Sequence, residues 1–429
     1  MAHALLAGAC RKEITPFAAH YPLPQREGKA FVRSLESIYV RALALQSSRQ
    51  TLLLISFELF GTPFATTLRN QLALTLGLAA ECVLICDTYN HCAPREDLYR
   101  FDISSCQPGA QERTDAYFAF CMEAGQSAAA NALAQLRPAR VGLANSASHI
   151  NVNRDQLFDY GWSLGQNFSG PSDKELGILC VERLEDRMPI AYGVNYALYG
   201  NMCYMASREG DTDLAVNSDL PGALCAALEK IHPSACAFWL SGAAGDQDPL
   251  VLAGYTAHLA PGVCLPAQFD EPGIMQARDC LCQRMLGDLL PALRRTHWFP
   301  LAGLAAKRTV LSLPGKDTAP GRAISLELQL LRIGPLRIAA ISGAPVCAIG
   351  RLLLEALPGS MNLLVTHAGS FTGYITDMTG FLRETFQYRS MLAQAGAFEV
   401  AALPELQRLE ALCALELPDE STQIKTESV

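Results

Sequence analysis

The sequence predicts an α/β fold of layered, mixed β-sheets with flanking helices, and two features of its 429 residues carry that expectation. Short runs of strand-compatible residues, separated by polar or Pro/Gly breaks, alternate with stretches of helical periodicity, the pattern that lays helices on sheet faces. Half of the residues are hydrophobic and only 18% are charged, which supplies a large packed core and is too apolar for disorder. One main unit is expected over residues 1–417, because single α/β catalytic folds run long. The Pro/Gly-rich stretch 313–322 is the one candidate internal boundary, and the polar, acidic, aperiodic residues 418–429 read as a flexible tail.

Along the chain, Leu5–Ile14, Ile38–Leu45 and Thr51–Phe57 read as strands. Pro63 sits where a helix can start, and Leu68, Leu72, Leu74 and Leu76 continue an amphipathic pattern up to a strand at Cys82–Cys86. A helix over Gln111–Leu136, stopped by Pro138, leads into a strand at Ala139–Ala144. Strands follow at Leu176–Glu182 and Ile190–Ala197, then a helix at Leu220–Ile231, a strand at Ala237–Leu240 and a helix at Ile274–Arg295. The last part reads as strands at Ala305–Leu313, Ser325–Leu331 and Leu336–Ser342, a helix at Val346–Leu357 and a strand at Leu363–Val365.

Composition also excludes partners. A net charge of -8 without a Lys/Arg cluster argues against a phosphate backbone, so no nucleic acid is expected. The longest apolar runs, such as Leu52–Phe57, fall far short of a membrane span, so no transmembrane segment is expected. The first residues lack the pattern of a secretory signal, and fifteen cysteines without a C-x-x-C pair fit reduced thiols, which together predict a cytoplasmic protein.

In α/β folds ligands collect beyond the carboxyl ends of strands. Asp87–Pro94 follows such a strand and sets His91 beside Cys92. A thiolate is a nucleophile when an imidazolium lowers its pKa, and His367, in another loop, is a second candidate base because neighbours in an extended segment point apart. The commoner role of such a cysteine is an inert core residue. Asn195–Asn201 forms a second polar loop. Gly242–Pro249 is a third, whose glycines permit close backbone approach and whose Asp246 and Asp248 suit acid/base work or a turn.

Taken in order, several segments resemble the neutral ceramidases, zinc amidases that cleave the N-acyl bond of ceramide. Ala7–Pro16 is similar to that family's opening strand, Arg41–Leu45 to its next one, Asn151-Val152-Asn153-Arg154 to its Asn-x-Asn-Arg, and Asp173-Lys174-Glu175 to its Asp-Lys-Glu. Ser218–Gly222 resembles Ala-Asp-Phe-Pro-Gly, and Gly242–Pro249 resembles Gly-Ala-Ala-Gly-Asp-x-x-Pro. The resemblance runs from about residue 5 to about residue 400, and the C-terminal β-sandwich of the longer ceramidases has no counterpart in it. It implies that the family's zinc ligands fall on Tyr89, Tyr199, Ala344 and Tyr374, its serine nucleophile on Asp248, and a second active-site tyrosine on Phe386. Only the tyrosine ligand is kept, so no metal and no cofactor are expected. His91, Arg154, Asp246 and Tyr374 are retained.

Four readings follow. The first is metal-independent acyl transfer or hydrolysis of an acyl amide, ester or thioester, small or lipid-like and presented free or on a carrier protein. Cys92 is its nucleophile, His91 or His367 its base, and Arg154 with the Gly245 and Asp246 amides its oxyanion stabilisers. The second is a non-covalent cyclase or isomerase with Asp248 or His91 as base and Tyr89, Tyr199 and Tyr374 as donors. The third is a binding protein without turnover. The fourth keeps zinc through rearranged ligands such as His367 and Asp248.

Overall fold

The alternation of buried residues along the strands shows which faces are covered. The structure is a computed structural model that describes residues 5–26, 29–95, 108–204, 206, 213–253, 256–260, 263–266, 269–299, 303–316 and 323–417. In the strand Tyr39–Gln46, Leu43 and Leu45 join one core while Ala42 and Ala44 join another; Leu52 and Leu54 are divided in the same way from Leu53 and Ile55. Both faces of these strands are dry, which is why they read as unbroken apolar runs.

The large sheet orders its strands as Cys236–Ser241, Pro189–Tyr196, Glu175–Arg183, Arg137–Ala147, Leu6–Glu13, Tyr39–Gln46, Thr51–Phe57 and Val83–Asp87, with His297–Trp298 paired to Arg137–Ala147. Its two outermost pairs are parallel and the inner ones antiparallel, so the sheet is mixed. A second sheet stacks Leu304–Pro314, Ala323–Ile333, Leu336–Ile341 and Asn362–Val365. The inner faces of the two sheets share one core, with Leu45, Leu54, Leu143 and Leu240 from the first and Leu331, Ile338 and Val365 from the second.

Helices close the outer faces. Beyond the large sheet lie α1 (Ala65–Leu76), α2 (Ala110–Ala134), α3 (Asp219–Ile231) and α4 (Glu271–Leu293). Beyond the small sheet lie α5 (Cys347–Glu355) and α8 (Ala397–Glu416), and two short helices, α6 (Met378–Leu382) and α7 (Phe386–Ser390), stand between them in the chain. The result is a helix, sheet, sheet, helix layering, the mixed α/β class expected from sequence. None of the described helices is long and apolar enough to cross a membrane.

Most expected elements form within a few residues of their expected ends. Pro138, taken as the stop between helix and strand, lies inside the strand Arg137–Ala147 and pairs with Leu6. The strands on either side of the candidate internal boundary pair with one another from Leu304↔Ile333 to Pro314↔Ala323; residues 317–322 and the tail 418–429 lie outside the described residues. Sequence periodicity had left α8 unassigned, although Phe398, Ala402, Leu406, Leu409 and Cys413 form its buried stripe. Pro404 inside the helix obscured that spacing. The hairpin Asn151–Phe158 and Gly161–Asn167 was also missed, because its polar residues do not alternate with apolar ones.

Candidate active site

Five connections leave the carboxyl ends of strands at one corner of the sheet pair. They follow Val83–Asp87, Pro189–Tyr196, Cys236–Ser241, Leu336–Ile341 and Asn362–Val365, and they carry Asp87 to Cys92, Tyr196 to Tyr199, Gly242 to Asp248, Ser342 to Ala344, and Thr366 to His367. The loop after Asn362–Val365 fastens the sheets together there: Thr366 N–H donates to Ser241 O (2.8 Å), Gly369 N–H to Ile85 O (2.8 Å), and Asp87 N–H to His367 O (3.3 Å). This is where ligands settle in open α/β sheets.

Arg154 is the hub. It sits on Asn151–Phe158, and the short strand Gln247–Pro249 pairs with that strand at Gln247↔Asn153 and Asp248↔Val152. Its Nη2 donates to Gly245 O (2.6 Å) and to the Tyr374 hydroxyl (3.1 Å), and Nη1 stands 3.5 Å from Asp248 Oδ1. Asn201 Nδ2 donates to that same oxygen at 2.7 Å. Burial works against charge on Arg154, yet Tyr374 and Asp248 outweigh it and raise its pKa. Burial raises the pKa of Asp248, and Arg154 opposes the rise. The guanidinium also faces Phe386, 5.6 Å from its ring centre, at the start of α7, which Thr385 caps by accepting from Tyr388 N–H.

Polar side chains of the neighbouring segments explain how Arg154 is held. Asn151 Nδ2 donates to the carbonyls of Asp173 and Ala197, and Lys174 Nζ donates back to Asn151 Oδ1 (2.8 Å), so the two motifs form one junction. Asp246 Oδ1 accepts from Cys347 N–H at the start of α5 and from Gln247 Nε2, and Oδ2 accepts from Asn153 Nδ2. Burial pushes the Asp246 carboxyl up to about 7. Its contacts tie loop to helix, and Arg154 N–H donates to its carbonyl.

Beside Arg154 lies a cluster of rings. Tyr89, Tyr199, Ala244 and Ala344 form its buried floor, with Phe60, Phe371 and Tyr374 half-buried against them. The Tyr89 ring centre lies 4.4 Å from that of Phe60, on which it stacks, and 4.2 Å from that of His367, to which it is tilted, while His91 and Tyr199 meet it edge-on. Burial, with Tyr374 nearby, holds both Tyr89 and Tyr199 protonated by raising their pKa values. Tyr89 and His367 adopt positive φ (49° and 53°), a conformation that costs a bulky residue and that the surrounding structure must hold in place. Among the described residues, His91 Nδ1 and both His367 nitrogens are buried without a hydrogen-bond partner.

The surroundings of Cys92 do not favour it as a nucleophile. The Cys92 thiol faces Asp219 Oδ2 at 3.6 Å and packs with Leu198, Met202 and Leu220, whereas His91 and His367 belong to the ring cluster. Burial and the Asp219 carboxyl drive its pKa well up, the reverse of what a nucleophile needs. Neither imidazole is a good base: burial, then Arg95 and Arg154, drives His91 well down, and burial takes His367 to about 3. The Gly245 N–H is not free to hold an oxyanion either, since it donates to Pro345 O (2.8 Å). Native Cys92 is accordingly expected to resist iodoacetamide at neutral pH while half-buried Cys10 is labelled, as read by mass spectrometry; rapid native labelling of Cys92 would restore it as a nucleophile.

Sequence reasoning gave no role to Asp87, Asn201, Phe60 or Phe371. Asp87 Oδ1 accepts from Tyr89 N–H and stands 3.8 Å from His367 Nδ1, and burial raises its pKa well above the usual range. The signal for it was a carboxyl ending the fully buried strand Val83–Asp87.

The structure brings together the four positions that the resemblance assigns to zinc ligands, but they do not fit the ion. Ala344 has no donor atom, the Tyr89 and Tyr199 phenols are held protonated, and zinc takes His, Cys or carboxylate. Rearranged ligation by His367 and Asp248 is not favoured: the carboxylate beside His367 is Asp87, while Asp248 is engaged by Arg154 and Asn201. Among the described residues no three His, Cys, Asp or Glu side chains group around a point that an ion would occupy.

Searched against known protein families and curated proteins, the sequence matches none. In three dimensions it is similar to the neutral ceramidase from Pseudomonas aeruginosa, with a TM-score of 0.73 at 13% identity over 97% of this chain and 76% of that one. It is similar also to a ceramidase complexed with C2, with a TM-score of 0.72, 13% identity and the same two coverages. The chain therefore has a ceramidase-like fold, with Arg154, Tyr374 and a packed group of aromatic rings at its centre.

Proposed function

We propose that the chain is an acyl-transfer enzyme that hydrolyses an acyl amide, ester or thioester without a metal ion, with Arg154, Tyr374 and Asp248 as its working groups. The observation that carries this reading is the fixed contact of one buried guanidinium with a carboxylate and a phenol. Asp248 takes a proton from water as the water oxygen bonds to the acyl carbon. The carbonyl oxygen gains the negative charge and is stabilised by Arg154 and the Tyr374 hydroxyl. Collapse then expels the amine, alcohol or thiol, which recovers the proton from Asp248. Burial raises the Asp248 carboxyl above the ordinary aspartate range, which makes it a stronger base, while Arg154 and Asn201 oppose the rise and favour its charged form. The apolar rings suit a small or lipid-like acyl group, free or on a carrier protein.

A panel of N-acyl amides, acyl esters and acyl thioesters of short and long chain tests the reading. Turnover of one member is expected to survive dialysis against a chelator and to fall about 100- to 10,000-fold in Asp248→Asn, with the fold retained. Loss on chelation would show a metal route, and an unaffected Asp248→Asn would remove the assigned base. The non-covalent isomerase reading would use the buried phenols of Tyr89 and Tyr199, both held protonated, as donors, and it predicts a rearranged product with no release of amine, alcohol or thiol.

A further inference from the structure

At the opposite ends of the strands that feed the candidate site, a concavity of about 400 Å³ opens beside Pro189, Ile190 and Cys236. Three arginines from three strands line it: Arg11 on Leu6–Glu13, Arg137 on Arg137–Ala147 and Arg183 on Glu175–Arg183. One acid, Glu229, shares the wall, so the lining carries three positive charges against one negative, a net of +2 on a chain of -8.

The single acid is already used. Glu229 pairs with Arg11 through Oε2, and its Oε1 accepts from Arg41 Nε (3.2 Å) and Ala237 N–H (3.0 Å). Arg183 meets Asp186 at 3.1 Å where both are partly exposed, a pairing of little strength in water. Among the described residues, Arg137 donates to the Gln135 carbonyl and has no carboxylate within ion-pair distance. Guanidinium groups lining a concave, cationic space match the oxygens of a phosphate, which accepts bidentate bonds from such forks. The volume exceeds a lone orthophosphate and falls in the range of small-ligand sites.

We infer that this arginine-lined concavity is a binding site for a phosphorylated small molecule, separate from the acyl site. The inference does not depend on the acyl chemistry, and its failure leaves that reading untouched.

Titration calorimetry of the full chain with pyrophosphate at about 0.15 M salt tests it, because nonspecific surface attraction is largely screened there. One saturable site per chain is expected, weakened about tenfold or more in Arg137→Ala/Arg183→Ala. Cys10 also lines the concavity and is half-buried, so pyrophosphate is expected to slow its alkylation in the wild-type protein, a readout that needs no variant. Absence of saturable heat, equal affinity in the double variant, or unchanged Cys10 labelling would each overturn the assignment.

Discussion

Replacing Arg154 by methionine is expected to lower the free energy of unfolding by about 3–5 kcal/mol, read from denaturant midpoints. The side chain removed is buried, and so is Asp248, which would keep only Asn201 as a partner. The Gly245 carbonyl would retain Gln387 Nε2 alone (3.0 Å), and the Tyr374 hydroxyl would lose its guanidinium donor. Leaving one member of a buried pair uncompensated costs more than the pair contributes. The double variant Arg154→Met/Asp248→Asn is expected to recover part of the loss, since no bare carboxylate then remains. A midpoint for Arg154→Met equal to that of the wild-type protein would show that the hub holds nothing together.

Gly245→Ala is expected to cost about 3 kcal/mol, the upper part of the range for an overpacked interior. An added Cβ would sit 2.6 Å from the Ala344 carbonyl oxygen and 2.7 Å from that of Pro345, and both are backbone atoms that cannot swing aside. The Gly245 N–H bond to Pro345 would have to give, carrying with it the short pairing of Ala344–Pro345 and Tyr374–Ile375 that positions Tyr374. Gly287 in α4 is the control, because a Cβ there meets nothing within 4 Å. Alanine at Gly287 is expected to stabilise by about 0.5–1 kcal/mol through helix propensity. Effects of the same sign at both glycines would show that backbone crowding is not what Gly245 avoids.

The layers were legible because both faces of the central strands are buried and helical spacing covers the outer faces; Thr51–Phe57 was bounded to the residue. Arg154 could be singled out only through the resemblance, since one arginine in a polar hairpin carries no periodic signal. Its contacts with Gly245, Asp248 and Tyr374 join residues far apart in the chain, which no local pattern encodes. The ring cluster shows the same limit. Tyr89 too could be singled out only through the resemblance, and its packing against His367 depends on how the two sheets dock. The environment of Cys92 was only partly legible: adjacent residues point apart, His91 to the rings and Cys92 to Asp219, and the acid it meets lies 127 residues further along the chain.

The stitch from Thr366 to Gly369 also bears on the order of events as the chain folds. Arg154 and Tyr374 are 220 residues apart, and Cys86 bridges to Ala368 across the two sheets. Contacts of that span are closed only after the intervening chain is largely compact, since loop closure precedes any gain from the contact. Strand pairing inside either sheet can therefore be complete while the corner is still unmade. In refolding experiments, signals from the Tyr89 and His367 rings would trail those of the backbone, making this corner a reporter of the last docking step.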